Sequence, residues 1–310
     1  MAISEAYRHQ VALLIRLIPM VAEEEVFALK GGTAINLFVR DLPRLSVDID
    51  LTYLPVEDRA KSLSAIDAAV RRIGDRAEKA IRGAHVTFGL LDKEDAATKA
   101  VIQTGRTQVK IEVTPVLRGC AYEPELRAVP SRVEDEFGFA EMQVVSLADL
   151  YAGKAVAALD RQHPRDLFDI RDLLANEGIT DELREAFIIY LLGHNRGFHE
   201  VLNPTRLDMA HEFEHGFTGM TDTPVTLEEL YRAREALIAG LVGEMPDRHR
   251  RLLVSFMEGE PEWSLLNLPH AKDLPAVKWR QLNLERLAPE RRPELIDALW
   301  NALGVKPGTE

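Results

Sequence analysis

Lys30-Gly31-Gly32-Thr33-Ala34, followed by Arg44-Leu45-Ser46-Val47-Asp48-Ile49-Asp50-Leu51, is the stretch on which the reading of this chain turns. Residues 47–53 alternate, with Val47, Ile49 and Leu51 on one side and Asp48, Asp50 and Thr52 on the other. That is the period of a strand with one buried face. Asp48 and Asp50 then project from the same face, where two carboxylates repel unless a cation lies between them. Magnesium prefers oxygen ligands and binds through one or two carboxylates plus substrate phosphates. A pair of such ions can stabilise the attacking and leaving oxygens of phosphoryl transfer. Taken alone, Asp-x-Asp reads first as an acidic exposed strand face. Upstream, the apolar run 27–29 ends at Lys30-Gly31-Gly32, and 33–39 reads as a short helix with Thr33 as its cap. Glycines let backbone N–H groups approach a phosphate closely, although a glycine pair alone is also a plain tight turn. A glycine turn followed by a carboxylate-bearing strand is more specific than either part.

Working outward, 6–21 has helical apolar spacing and 62–81 is a second helix candidate. Strands are expected at 85–91 and 108–114, the latter closed by Pro115. In 108–114, Lys110, Glu112 and Thr114 share a face, so Glu112 can approach the aspartates as a general base or third ligand if this strand lies beside 47–53. From Ser146, which opens a capping-box-like Ser-Leu-Ala-Asp149, the pattern turns helical: 150–159, 167–176 with Pro164 before it, 180–194, 226–243 and 292–303. We therefore expect an α+β fold: a sheet-bearing domain over 1–145 with a small mixed sheet, then a helical domain over 146–310. Lys154 stands among Ala152, Gly153, Ala155, Ala157 and Ala158, as a lysine emerging from a close-packed helix. Such a point charge can hold a nucleotide phosphate. Asp166 and Asp169 share a helix face and could orient it, or serve only as acids near a helix start.

The totals narrow the class. A net charge of −12 argues against broad nonspecific nucleic-acid binding. It leaves room for local patches at Arg248-His249-Arg250-Arg251 and at Arg161 to Arg165, each also readable as a solvated helix face. One cysteine, Cys120, rules out an internal disulfide and a cysteine-based zinc site. No apolar run reaches the ~18 residues of a membrane span. The N-terminal stretch 1–10 has no apolar signal core, so the cytoplasm is the expected location and no membrane partner is expected.

Taken together, Lys30-Gly31-Gly32-Thr33-Ala34 and Arg44-Leu-Ser46-Val-Asp48-Ile-Asp50-Leu resemble the AbiEii/AbiGii family of nucleotidyltransferase toxins. Lys154-Ala155, Arg161, Arg165-Asp166-Leu167-Phe168-Asp169, His194-Asn195-Arg196 and Glu260-Pro-Glu-Trp263-Ser264-Leu265-Leu266 resemble its later motifs, so the likeness spans most of the chain. The resemblance implies a DNA polymerase β-type nucleotidyltransferase fold with a helical C-terminal domain. It also implies the toxin half of a type IV toxin–antitoxin or abortive-infection system, with a cognate antitoxin as partner. By the same resemblance Asp48 and Asp50 bind magnesium, with manganese as a substitute, Lys154 holds the nucleotide of an NTP, and Asp166 completes the site. Some relatives transfer nucleotides to the 3′ end of tRNA. Gly31, Gly32, Thr33, Ser46 and Asp169 are the remaining nucleotide-binding candidates. Ser46 is close enough to touch phosphate or be modified; unchanged nucleotide affinity in Ser46→Ala would count against that role. Two departures stand out: a long interval from Gly32 to Asp48, and Glu112 where the superfamily commonly has Asp.

A rival pattern is His211-Glu212-Phe213-Glu214-His215, which matches the H-E-x-x-H of zinc proteases with Glu235 as a third ligand. Glu214, the surrounding acid and the immediate Gly216 argue against it. Three functions follow: NTP-dependent transfer to RNA or protein, a catalytically weak nucleotide-binding module acting through a partner, and a small-molecule nucleotidyltransferase. Arg196, Lys278 and Arg280 are candidates to guide an acceptor strand. Trp279 reads as a base-stacking platform or, more simply, a core tryptophan.

Overall fold

The computed structural model describes residues 5–288 and 290–304; the first four residues of the N-terminal stretch discussed above lie outside it. The chain forms two compact units. Unit 1 comprises residues up to Ser146 together with Gly219–Pro224, and unit 2 comprises Leu147–Thr218 and the chain from Val225.

Unit 1 runs α1 (Glu5–Ala22), β1 (Phe27–Lys30), α2 (Gly31–Ala34) continued by a π-helical turn over Ile35–Val39, β2 (Asp48–Tyr53), α3 (Arg59–Ala80), β3 (Ala84–Leu90), β4 (Ala97–Thr104), β5 (Thr107–Val113), β6 (Glu125–Ala128), α4 (Ser131–Phe137) and β7 (Glu141–Val144). The strands form one mixed sheet of seven, in the order β3-β4-β5-β2-β1-β7-β6. β2 is antiparallel to β1 and parallel to β5. Ile49 and Leu51 are fully buried, as the alternation requires, and α1 and α3 pack against the strands and each other. Asp58 caps α3, its carboxylate accepting from the Lys61 N–H at 2.9 Å. Gly219–Pro224 returns to this unit, where Thr221 bridges to Arg44 and Asp222 pairs with Arg132.

Unit 2 is helical: α5 (Leu147–Arg161), α6 (Pro164–Asn176), α7 (Asp181–Leu192), α8 (Phe198–Leu202), α9 (Ala210–Gly216), α10 (Leu227–Ile238), α11 (Asp247–Glu258), α12 (Pro275–Glu285) and α13 (Arg291–Leu303). Helix starts follow local chemistry. Pro164 occupies the first turn of α6, Thr180 caps α7, and Thr226 with Glu229 makes a capping box on α10.

The structure differs from the expectations in definite ways. The helix after the glycine pair starts at Gly31 rather than Thr33, because Gly31 takes φ +74° and turns the strand directly into the helix. Thr33 is therefore not a cap; its hydroxyl turns inward, to Ser46 Oγ at 3.1 Å and to the carbonyl of Asp48. The sheet also has four strands beyond 47–53, 85–91 and 108–114: β1, a three-residue apolar run in the sequence, and β4, β6 and β7. β6 and β7 are four residues each, too short for alternation to register. Trp279 is 54% exposed rather than in the core.

Candidate active site

In unit 1 the glycine turn and β2 meet. Lys30, last in β1, lies opposite Asp50 in the antiparallel register. A Cβ on Gly31 would fall 2.6 Å from Asp50 Oδ2, and one on Gly32 would fall 2.8 Å from Ser46 Oγ and 3.0 Å from an Arg44 guanidinium nitrogen. The absent side chains thus leave room for Asp50, Ser46 and Arg44 to close on the turn. Asn36 reinforces it by donating from Nδ2 to the Gly32 carbonyl at 2.8 Å. Across the parallel pair, Asp48 faces Lys110 and Asp50 faces Glu112. Glu112 therefore joins the aspartates on one sheet face. Lys110 intervenes, however, with Nζ 2.9 Å from Glu112 and 3.8 Å from Asp48. Lys99 approaches Glu112 at 3.8 Å.

The electrostatics follow from this packing. Burial pushes the Asp50 carboxyl up; Lys30 and Lys110 oppose the shift, and Asp48 and Glu112 add to it. Burial also pulls Glu112 up, but the hydrogen bond and charge of Lys110, with Lys99 and Lys30, outweigh it and hold Glu112 below its ordinary range. Burial pushes the Lys30 ammonium down against the pull of Asp50, and it donates to Thr114 Oγ1 at 2.9 Å. Asp48 and Asp50 supply the hard oxygen donors that magnesium takes, so the residues present fit such an ion. Among the described residues no group of three or more His, Cys, Asp or Glu side chains is gathered for a metal. The pair Asp48 and Asp50 is therefore the candidate metal set, with Glu112 tied to lysines rather than completing it.

Unit 2 gathers the other candidates. Lys154, on α5, is 8% exposed and lies 2.8 Å from Asp166 and 3.1 Å from Asp169, both on α6 and both 1% exposed. Arg161 adds a bidentate grip on Asp166 at 2.6 and 2.9 Å. Burial opposes ionisation of Asp166, but Lys154 and Arg161 outweigh it and hold its carboxyl far below the usual carboxylate range. Its folded pKa lies below the unfolded value of about 4, so the resulting stability is fully present above pH ~4 and is lost as pH falls through the folded value. We expect the thermal midpoint of unfolding to drop steeply below pH 4, and Lys154→Met to blunt that dependence, as calorimetry across pH 2–7 would register.

The other sequence candidates are otherwise engaged. Arg248 pairs with Glu185, Arg250 with Asp247 and Arg251 with Glu262, while His249 is buried, so the charges of the run are each paired with a carboxylate. Arg280 is spent on the carbonyls of residues 194–196, and Lys278 pairs with Asp273. His211 and His215 stack at 4.4 Å on α9, where no residue is buried. Glu235, the proposed third zinc ligand, pairs instead with Arg206 and Arg234. Lys30, Arg44 and Lys110 were missed as site residues. Their only signal was position: beside the glycines, before Asp48, and in the face shared with Glu112.

The sequence model described as "Nucleotidyl transferase AbiEii toxin, Type IV TA system" matches residues 12–279. The chain belongs to the AbiEii family of nucleotidyltransferase toxins. Among solved structures it is similar to MenT4, a nucleotidyltransferase toxin from Mycobacterium tuberculosis H37Rv. That likeness has a TM-score of 0.63 and 16% identity, over 91% of this chain and 94% of the other. No curated protein matches. The AbiEii-family assignment makes this chain an NTP-dependent nucleotidyltransferase, the toxin of a type IV toxin–antitoxin system, and the MenT4 likeness supports the α+β fold. Among the described residues no helix is long and apolar enough to cross a membrane.

In this AbiEii-family chain the cradle sets a sharp test. Gly31→Ala places a side chain in the left-handed region, at a cost of roughly 1–2 kcal/mol, and drives its Cβ into the Asp50 carboxylate. We expect nucleotide transfer to fall about a hundredfold or more, ~2.7 kcal/mol of barrier, with only a few degrees lost in Tm. Activity within threefold of wild type would show that Asp50 is free to move.

Proposed function

We propose that this toxin transfers a nucleoside monophosphate from an NTP to RNA, with the 3′ end of tRNA as acceptor, in a magnesium-dependent reaction that a cognate antitoxin restrains. The observation that carries this reading is the placement of Asp48 and Asp50 on one strand face against the glycine turn, with Glu112 in register beside Asp50. Asp48 and Asp50 would hold a divalent cation, which would supply Lewis-acid alignment of the α-phosphate and offset charge on the pyrophosphate. Backbone N–H groups at Gly31 and Gly32, with Ser46 and Arg44, take the phosphate oxygens. Thr33 holds Ser46 and the start of β2 in place. In unit 2, Lys154 takes a nucleotide phosphate, and Asp166 and Asp169 fix its ammonium. The acceptor hydroxyl oxygen forms a bond to the α-phosphorus, the bond from that phosphorus to the β-phosphate bridging oxygen breaks, and pyrophosphate leaves. Glu112 receives the hydroxyl proton; its pairing with Lys110 makes it a weak base, so that transfer completes late.

The test is incubation of the protein with each α-³²P NTP, total RNA and magnesium or manganese, beside an EDTA control. Metal-dependent label in the tRNA size class is expected. Label confined to protein or small molecules would overturn the RNA acceptor, and label that persists in EDTA would overturn the metal.

A further inference from the structure

Unit 2 contains a cavity of about 350 Å³ between α8, α13 and the loop over residues 203–207, within the volume range of small-ligand sites. Its charged wall is already satisfied. Arg196 lies 2.6 Å from Asp160 and 3.6 Å from Glu200, so one guanidinium answers two carboxylates. A phosphate entering here would meet net negative charge. The open hydrogen-bonding capacity is neutral: no hydrogen bond among the described residues engages the side-chain amides of Asn203 or Asn301. Each carries a donor and an acceptor side by side. Ala298 and Ala302 lie with Asn301 on one face of α13, and Leu207, 47% exposed, adds apolar surface. Paired amide donor–acceptors beside an apolar wall match a planar base with a donor–acceptor edge. Asn reads adenine in this way, and unstacked bases of single-stranded RNA are read on just such edges.

The wall is held rigid. Gln162 is a non-glycine residue at φ +47° and is 3% exposed. Its amide donates to the Thr205 carbonyl at 2.7 Å and accepts from the Leu207 N–H and the Arg234 guanidinium, each at 3.0 Å. Backbone strain held in place by surrounding bonds is common where a ligand is clamped. Gln162 directly follows Arg161, which grips Asp166 beside Lys154. The cavity wall and the proposed nucleotide-holding cluster therefore share the end of α5.

We propose that this cavity binds one unstacked nucleobase of the acceptor RNA, read by Asn203 and Asn301, and so sets acceptor preference. The inference rests on the RNA-acceptor reading above. The test uses fluorescein-labelled tetranucleotides of A, C, G and U, with binding followed by anisotropy. It compares wild type, Asn203→Ala/Asn301→Ala, and Ala302→Leu, which adds bulk to the cavity lining and keeps both amides. Transfer kinetics are run on the RNA that wild type labels. The expected result is a loss of about ten- to hundredfold in affinity for the preferred tetranucleotide, a levelling of preference among the four, and a matching fall in kcat/KM for RNA with KM for NTP unmoved. Unchanged preference in both variants overturns the proposal. A uniform loss for all four tetranucleotides also overturns it, as does a rise in KM for NTP alone, which assigns the cavity to the donor base. If wild type labels no RNA, the acceptor reading itself has failed; if it labels RNA and the variants match it, only the cavity assignment has.

Discussion

Replacing Asp48 and Asp50 together by asparagine lowers nucleotide transfer about a thousandfold or more, equivalent to at least ~4 kcal/mol of transition-state stabilisation, while Tm moves by only a few degrees. The two effects separate because of what surrounds the pair. Burial and the neighbouring carboxylates already push Asp50 up, so its ionised form is strained in the fold and a neutral amide relieves that strain. Removing the charge from Asp48 leaves Lys110 its shorter contact with Glu112. Little stability depends on the charges, whereas the proposed divalent cation would lose its anionic oxygen donors. Binding of manganese, followed by paramagnetic relaxation, should weaken at least tenfold in the double variant. Retention of more than a tenth of wild-type transfer would remove this pair from the chemistry.

Lys154→Met has the opposite balance: activity is lost and the fold suffers too. The ammonium lies between two carboxylates that are each 1% exposed. Removing one partner of a buried ion pair costs about 3–5 kcal/mol, because the remaining charge stays desolvated. At roughly 2–4 °C per kcal/mol for a unit of this size, a fall in Tm of about 6–20 °C is expected. The companion variant Lys154→Met/Asp166→Leu/Asp169→Leu replaces the whole cluster with apolar side chains, which commonly restores stability, and frees Arg161, itself well exposed. We expect Tm to recover by several degrees with transfer still absent. If transfer returned with stability, the cluster would be a structural support only.

The family and the strand that carries Asp48 and Asp50 were legible because their signals are local. A strand alternates with period two, so Ile49 and Leu51 in the core imply Asp48 and Asp50 together on the other face. Gly31, at φ +74°, marks a turn that only glycine takes easily. The spacing of Asp166 and Asp169 places both on one face of α6, whatever that face packs against. What α6 packs against was not local. The burial of Lys154 beside both aspartates depends on α5 and α6 lying together. A lysine among alanines reads the same whether exposed or enclosed. Lys110 could be placed on the face of Glu112 from the sequence, but its lodging between Glu112 and Asp48 required β5 to pair with β2 in one register. Lys30 became a partner of Asp50 only through the antiparallel register of β1. The arginines after Pro246 looked like a basic patch until folding supplied Glu185 and Glu262 as partners of Arg248 and Arg251. The amino-acid order by itself thus determined which side chains share a strand or helix face, since that follows from backbone period alone. Tertiary structure alone decided which charges neutralise one another, because Coulomb partners and desolvation are set by distances across chain separations that no local pattern encodes.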